Sequence, residues 1–172
     1  MAKVSVRAAR AKQGNLTLYT TGIRVSDLVK DNFYSVETLD PTDTTDSGYQ
    51  RVLNETRARR LSDYLINGLD TSDCFLPTSV FLATSEELDY DEHSGLLLID
   101  TEKTGAFSVV DGQHRLEGLR LAAERDNRLL HFEMPVNIAV QLPHLHQMCH
   151  FLIVNSTQKV STNLSNNASC HD

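Results

Sequence analysis

The chain is short of cysteine, of long apolar runs and of positive charge, and each shortage excludes a class of protein. Its three cysteines, Cys74, Cys149 and Cys170, are odd in number, widely spaced and never in a CxxC pair. That argues against a disulfide framework and against a thiolate zinc knot. Apolar runs stop at four residues, as at Leu96 to Ile99 and Phe151 to Val154, far below the length of a membrane-spanning helix. The opening MAKVSVRAAR has no apolar stretch of the secretory kind. A reducing cytoplasm and no membrane partner are therefore expected. The Asn-x-Ser/Thr triplets at Asn54, Asn155 and Asn167 then read as chance matches, not glycosylation sites.

Sixteen Lys and Arg stand against 23 Asp and Glu, a net charge of −7 with His neutral. A surface uniformly coated in positive charge for non-specific nucleic-acid binding is excluded. The deficit is uneven, however. Residues 1–60 carry ten basic and seven acidic side chains, residues 61–111 one and eleven, and residues 112–172 five and five. A local basic surface in the first or last part stays open. With 172 residues, 40% hydrophobic and 23% charged, the chain suits one domain with a real core. The reading is a single domain over 1–165 and a polar, flexible tail over 166–172.

Val4 to Arg10 and Asn15 to Thr21 flank a Gln13-Gly14-Asn15 turn and predict a β-hairpin. Val25 to Lys30 predicts a short helix, and residues 38–49 (TLDPTDTTDSGY) a loop. Asn54 is a natural N-cap for a helix to about Ile66, with Leu61, Leu65, Leu69 and Tyr64 on its core face and Gly68 as its stop. Ser79 to Ala83, Leu96 to Ile99 and Phe107 to Val110 read as buried strands, the first two joined by an acidic connection. Asp111 is expected to cap a helix reaching about Arg125, with Leu116, Leu119 and Ala123 as its apolar stripe. Pro135 to Leu142 reads as a strand, and Pro143 as the start of a helix with Met148, Phe151 and Leu152 inward. The fold class is α+β, with strands of mixed direction.

The segment FSVVDGQHRLEGLRLA carries the most chemistry. A hydrophobic strand runs into Asp111-Gly112-Gln113-His114-Arg115 and then into an amphipathic helix. Gly112 lets the backbone come close to a ligand, and the N–H groups of a helix start favour an anion. Arg115 adds a planar fork suited to phosphate. Asp111 would repel a bare phosphate; capping the helix, binding a ribose hydroxyl or a metal, and orienting Arg115 are its open roles. The same residues also suit an ordinary capped helix start.

DGQHR followed by Leu-x-Gly-Leu resembles the signature of the DGQHR-domain family, which includes DndB-type proteins of DNA phosphorothioation systems. Two further segments match it in order and approximate spacing: YQRVLNETRARRLSDYL around Tyr49 to Leu65, and FLIVNSTQKV at Phe151 to Val160. The resemblance covers about residues 15 to 165. It implies a ParB/sulfiredoxin-like mixed sheet with flanking helices, in which the equivalent corner holds nucleotide phosphates. By that resemblance Asp111, Gly112, Gln113, His114 and Arg115 line a phosphate or nucleotide site, with Gln50, Arg51 and Arg57 as a second wall and Asn155, Thr157, Gln158 and Lys159 as a third. Two departures bear on activity. No GxxxxGK[ST] is present, so hydrolysis of the P-loop kind is excluded, and His114 stands where sulfiredoxin-like proteins carry their cysteine.

Other clusters read more plainly. Arg57 and Arg60 share a helix face, with Arg59 aside; Arg59 and Arg60 suit a solvated face paired with Glu55 or Asp63. His146 and His150 stand four apart beside His144 and Cys149, but no third carboxylate lies at a matching interval, so no metal site is expected. Asp89, Asp91 and Glu92 lack the spacing of a calcium loop.

The expected function is a regulatory or accessory protein of a DNA-modification or defence system that binds nucleotide or DNA phosphate at the DGQHR corner. DNA, a nucleotide and DNA-modification enzymes are its expected partners, and homo-oligomerisation is left open. One alternative is an unconventional NTPase or a nucleotide- or base-modifying enzyme. It would use Asp111 and His114 as catalytic acid–base groups on a nucleoside triphosphate with a divalent metal. Another is a ParB-like DNA-binding protein, disfavoured by the acidic charge and by the lack of a helix-turn-helix pattern after the corner.

Overall fold

The longest strands form a hairpin. β1 (Lys3–Gln13) turns at Gly14, φ +61°, into β2 (Leu16–Arg24), close to the pattern expected from sequence but longer at both ends. The computed structural model describes residues 3–36, 53–143, 146 and 153. The loop expected at residues 38–49 and the inward Met148, Phe151 and Leu152 lie outside them.

The other described strands are β3 (Tyr34–Ser35), β4 (Val80–Ala83), β5 (Asp89–Asp91), β6 (Leu96–Asp100), β7 (Phe107–Asp111) and β8 (Glu133–Val140). They form one curled, mixed sheet in the order β3-β7-β4-β8-β2-β1-β6-β5. β3–β7 and β4–β8 are parallel, and the other pairs antiparallel. The curl passes through β1, whose Lys3 to Arg7 pair with β6 while Ala8 to Gln13 pair with β2. The α+β class, a mixed sheet with flanking helices, holds. The acidic connection expected between β4 and β6 contains a strand of its own. Short and polar, β5 carries no apolar alternation to announce it. It is pinned instead by Tyr90, whose ring packs 5.0 Å from Tyr19 and whose hydroxyl donates to Ala8 O at 3.1 Å.

Among the described residues the helices with defined bounds are α1 (Val25–Leu28), α2 (Glu55–Thr71), α3 (Thr101–Thr104) and α4 (Gln113–Arg125). A 3₁₀ turn at Asn127–His131 was not foreseen. α2 and α4 lie against one sheet face, where Leu65, Leu116, Leu119 and Ala122 pack with Val80, Leu82, Val109, Val136 and Ile138. Burying each such large aliphatic side chain contributes about 1.5–3 kcal/mol.

Contacts between α2 and α4 run in the same order along both. Asn54 meets His114, Leu61 meets Gly118, and Ser62 and Asp63 meet Arg125; Asp70 then meets Arg128 just beyond α4. The helices are therefore parallel, with both N-termini at one end. Their closest approach is at Gly118, where a Cβ would stand 2.7 Å from Leu61 Cδ2 and 3.0 Å from Leu61 Cβ.

Two expectations about α2 are corrected. Gly68 does not stop the helix, which continues to Thr71 and ends at Ser72 with φ +57°. Gly68 is needed because the chain folds back over it, leaving Cys74 Cα 2.9 Å from where a Cβ would be. Tyr64 is not on the core face; it is 44% exposed. Its hydroxyl instead accepts from Phe75 N and donates to Phe75 O, both at 3.2 Å, holding the returning strap.

Because Leu61 blocks a side chain at position 118 from its Cβ outward, Gly118→Ala should destabilise the fold by about 1–3 kcal/mol. In a urea-unfolding double-mutant cycle, Leu61→Ala should relieve part of that loss, so the double variant loses less than the sum of the single ones. Strict additivity would show that the two positions do not set the helix spacing.

Candidate functional site

The DGQHR corner forms where β7 ends and α4 begins. Gly112 has φ +104°, a region that side chains rarely adopt, and a Cβ there would meet Val80 Cγ2 at 3.1 Å and Arg115 Nε and Nη2 at 3.3 Å. Only glycine makes this turn in this space. Its carbonyl accepts from Arg115 N at 2.9 Å and Leu116 N at 3.0 Å, starting the helix. Gly112, not Asp111, is thus the N-cap residue, and no side chain caps α4. Asp111 remains in the strand, paired with Phe81. Its carboxylate accepts from Arg115 Nη2 at 2.7 Å, and both side chains are largely buried, 32% and 20% exposed. Of the roles open to Asp111, orienting Arg115 is the one the geometry realises.

His114 ties the two helix starts together. Its Nε2 accepts the backbone N–H of Asn54 at 3.1 Å. An acceptor at Nε2 means that the neutral imidazole carries its proton on Nδ1. Asn54 in turn caps α2, its Oδ1 accepting from Arg57 N at 3.0 Å. Partial burial, then the nearby Arg57 guanidinium, lowers the His114 pKa from its ordinary value of 6.5; Asp111 opposes them with a smaller effect. His114 is accordingly neutral at physiological pH.

Of the residues expected at the site, the fold brings together Asp111, Gly112, Gln113, His114, Arg115 and Arg57. Gln113 is buried, 8% exposed. Arg57 is exposed and, among the described residues, has no carboxylate within ion-pair distance. Arg59 pairs with Glu55 at 3.1 Å as expected of a solvated face, while Asp63 pairs with Arg125. Gln50, Arg51, Asn155, Thr157, Gln158 and Lys159 lie outside the described residues. Sequence reasoning took Asn54 for a cap and missed its bond to His114. It also missed Ser79, Asn137 and Thr20, described below. The available signal was a lone amide, Asn137, inside the apolar strand EMPVNIAV.

Electrostatically the corner favours an anion. Two parallel helices point their N-termini there, and the first-turn N–H groups of a helix have no acceptor within it. Arg57 and Arg115 stand there with two carboxylates, Asp111 bonded to Arg115 and Glu55 bonded to Arg59, so that Arg57 is left without an acidic partner among the described residues. Other acids among the described residues lie elsewhere. Asp89, Asp91 and Glu92 belong to or adjoin β5, the far edge of the sheet, six strand spacings from β7. Asp63 and Asp70 are neutralised by Arg125 and Arg128, away from the N-terminal end. Among the described residues no group of three or more His, Cys, Asp or Glu is placed to hold a metal, and no helix is long and apolar enough to cross a membrane.

Fold and corner together define a class: an α+β protein whose mixed sheet passes into a helix through a glycine-pivoted Asp-Gly-Gln-His-Arg turn. Within that class the chain belongs to the DndB family. The family's model, described as DNA-sulfur modification-associated, matches residues 6–167. No curated protein and no solved structure matches the chain. Family membership associates the protein with DNA-sulfur modification, the phosphorothioation expected from the motif.

The lowered His114 pKa fixes the sign of a pH effect. The unfolded chain takes up this proton near pH 6.5, the folded chain only at lower pH. Stability from the neutral imidazole is therefore complete above that value and is lost as pH falls below it. Thermal unfolding of wild type should weaken between about pH 7.5 and about pH 5.5 more than that of His114→Gln, which retains an acceptor without titrating. Equal pH dependence in both proteins would contradict the Asn54–His114 bond.

Proposed function

We propose that the protein is a phosphate-recognising accessory or regulatory component of DNA-sulfur modification, binding a nucleotide or a DNA-backbone phosphate at the DGQHR corner. The observation that carries this reading is the convergence of two parallel helix N-termini on Arg57 and Arg115, around a turn that only Gly112 can make. An anion there meets the positive ends of both helices, backbone N–H groups, and guanidinium groups suited to bidentate phosphate contact. The ParB/sulfiredoxin-like resemblance supports it, since that fold uses an equivalent corner for nucleotide phosphates. Gln50, Arg51, Asn155, Thr157, Gln158 and Lys159 are proposed to complete the pocket, on the motif resemblance alone.

Binding is favoured over acid–base catalysis by these residues. The acceptor nitrogen of His114 is engaged by Asn54 N–H, and Asp111 is engaged by Arg115. A divalent metal accompanying a triphosphate would find the carboxylates at this end already engaged, Asp111 by Arg115 and Glu55 by Arg59.

Calorimetric titration with nucleoside triphosphates and with a short DNA duplex should show binding of at least one by wild type. Charged hydrogen bonds of this kind are worth about 1.5–3 kcal/mol, so Arg57→Ala and Arg115→Ala should each weaken it about tenfold or more. Arg57→Ala is the cleaner variant, because Arg57 is exposed and its loss leaves no buried carboxylate unpaired. No binding of either ligand, or undiminished binding by both variants, would refute the reading.

A further inference from the structure

The sheet face opposite α2 and α4 carries a row of groups that phosphate recognition does not use. Phe81 of β4 pairs in register with Asp111 of β7 on one side and with Asn137 of β8 on the other, and Asn137 pairs with Thr20 of β2. At this point the β4–β7 ladder is irregular: Leu82 pairs with Val109 but Phe81 with Asp111, leaving Val110 as an extra residue. Such a bulge re-aims the side chains beside it. Here it brings Asp111 level with Phe81, while Val80 and Leu82 point to the main core.

The polar members of the row are linked. Thr20 Oγ1 donates to Asn137 Oδ1 at 2.8 Å, and Asn137 Nδ2 donates to Ser79 Oγ at 2.8 Å. Ser79 immediately precedes Val80, the residue that closes over Gly112. The hydrogen-bonded chain therefore ends beside the corner. Thr20 is exposed, while Ser79, Phe81 and Asn137 are half-buried. Further along the same face Ala83, Val110 and Ala139 are fully covered, so the row stands at the margin of an apolar patch. Side chains directly opposite one another in a sheet have Cβ atoms about 4.5–5.5 Å apart. An aromatic ring thus lies with an amide on one flank and a carboxylate on the other. Phe81 packs partly against that patch; in nucleic-acid-binding proteins, aromatic side chains on a sheet stack bases on the ring, with the base edges meeting nearby polar groups.

We propose that this row is a nucleoside platform: a base stacks on Phe81, and Asn137 with the Ser79 and Thr20 hydroxyls meets the base edge or the sugar, while the phosphates lie over Gly112 to Arg115. The ligand class is a nucleoside phosphate, not a bare phosphate. This rests on the phosphate reading of the corner, and the test separates the two.

Calorimetry on the full chain compares inorganic tripolyphosphate with the four common ribonucleoside triphosphates. At least one nucleotide should bind about tenfold or more tightly than tripolyphosphate, the size of effect expected of one stacked base. Phe81→Leu, which keeps the apolar volume, and Asn137→Ser should remove that margin and leave tripolyphosphate binding unchanged. Because the chain contains no tryptophan, Phe81→Trp supplies a unique fluorophore at the platform. Its emission should change on adding the preferred nucleotide and not on adding tripolyphosphate. Tripolyphosphate binding as tightly as every nucleotide, or a nucleotide margin that survives in Phe81→Leu, would overturn the platform and leave the corner standing. Absence of binding by tripolyphosphate and by all four nucleotides would overturn the platform and count against the corner.

Discussion

The contact of Leu61 with Gly118 is the constraint on which the candidate site depends. It lets two helices from distant parts of the chain run side by side at a spacing no larger residue at position 118 would permit. Their parallel direction puts both N-termini at one end, beside the C-terminal end of β7. Two aligned helix dipoles repel one another and concentrate positive potential at that end. The fold answers locally with Asn54, which caps α2, and with the uncharged acceptor of His114. What it leaves in place is Arg57 and Arg115, with the carboxylates of Asp111 and Glu55 each already bonded to an arginine. An imidazolium at position 114 would add a third positive charge and cost the Asn54 bond, and burial together with Arg57 disfavours it.

Charge and topology act together. The net acidity of the chain, taken as a single number, argues against a polyanion partner. Strand order reverses that conclusion, because the acidic β5 is the sheet edge farthest from β3 and β7. Of the acids of α2, Glu55 is paired with Arg59, Asp63 with Arg125 and Asp70 with Arg128. A phosphate approaching the corner meets Arg57 and Arg115, with Asp111 and Glu55 each already bonded to an arginine. Family membership supplies the biological setting, DNA-sulfur modification, and the corner supplies a chemistry compatible with it.

Much of the fold was legible in the residues. The β1–β2 hairpin followed from alternation around Gly14, α2 from the Asn54 cap, and the strand–turn–helix from FSVVDGQHRLEGLRLA. What escaped was decided by tertiary contact. Gly68 has the composition of a helix stop but serves a chain crossing at Cys74, and Tyr64 follows the helical stripe yet turns outward to hold Phe75. β5 lacks apolar residues to mark it and exists because Tyr90 docks on Tyr19. At the site, the motif named Asp111 to Arg115, but the Asn54–His114 bond joins residues 60 positions apart. The row from Thr20 to Asp111 depends on sheet register, and no local pattern encodes it. Asn137 alone left a trace, as an amide among apolar neighbours.

The central claim is that the starts of α2 and α4 form one anion site. Amide proton–nitrogen NMR spectra recorded while inorganic tripolyphosphate is titrated into the full chain test it most directly. The account predicts that the largest shifts fall together on the backbone amides of Asn54 to Arg57 and of Gly112 to Arg115, and saturate with a single affinity. Shifts confined to one of the two segments, or centred elsewhere on the sheet, would contradict it.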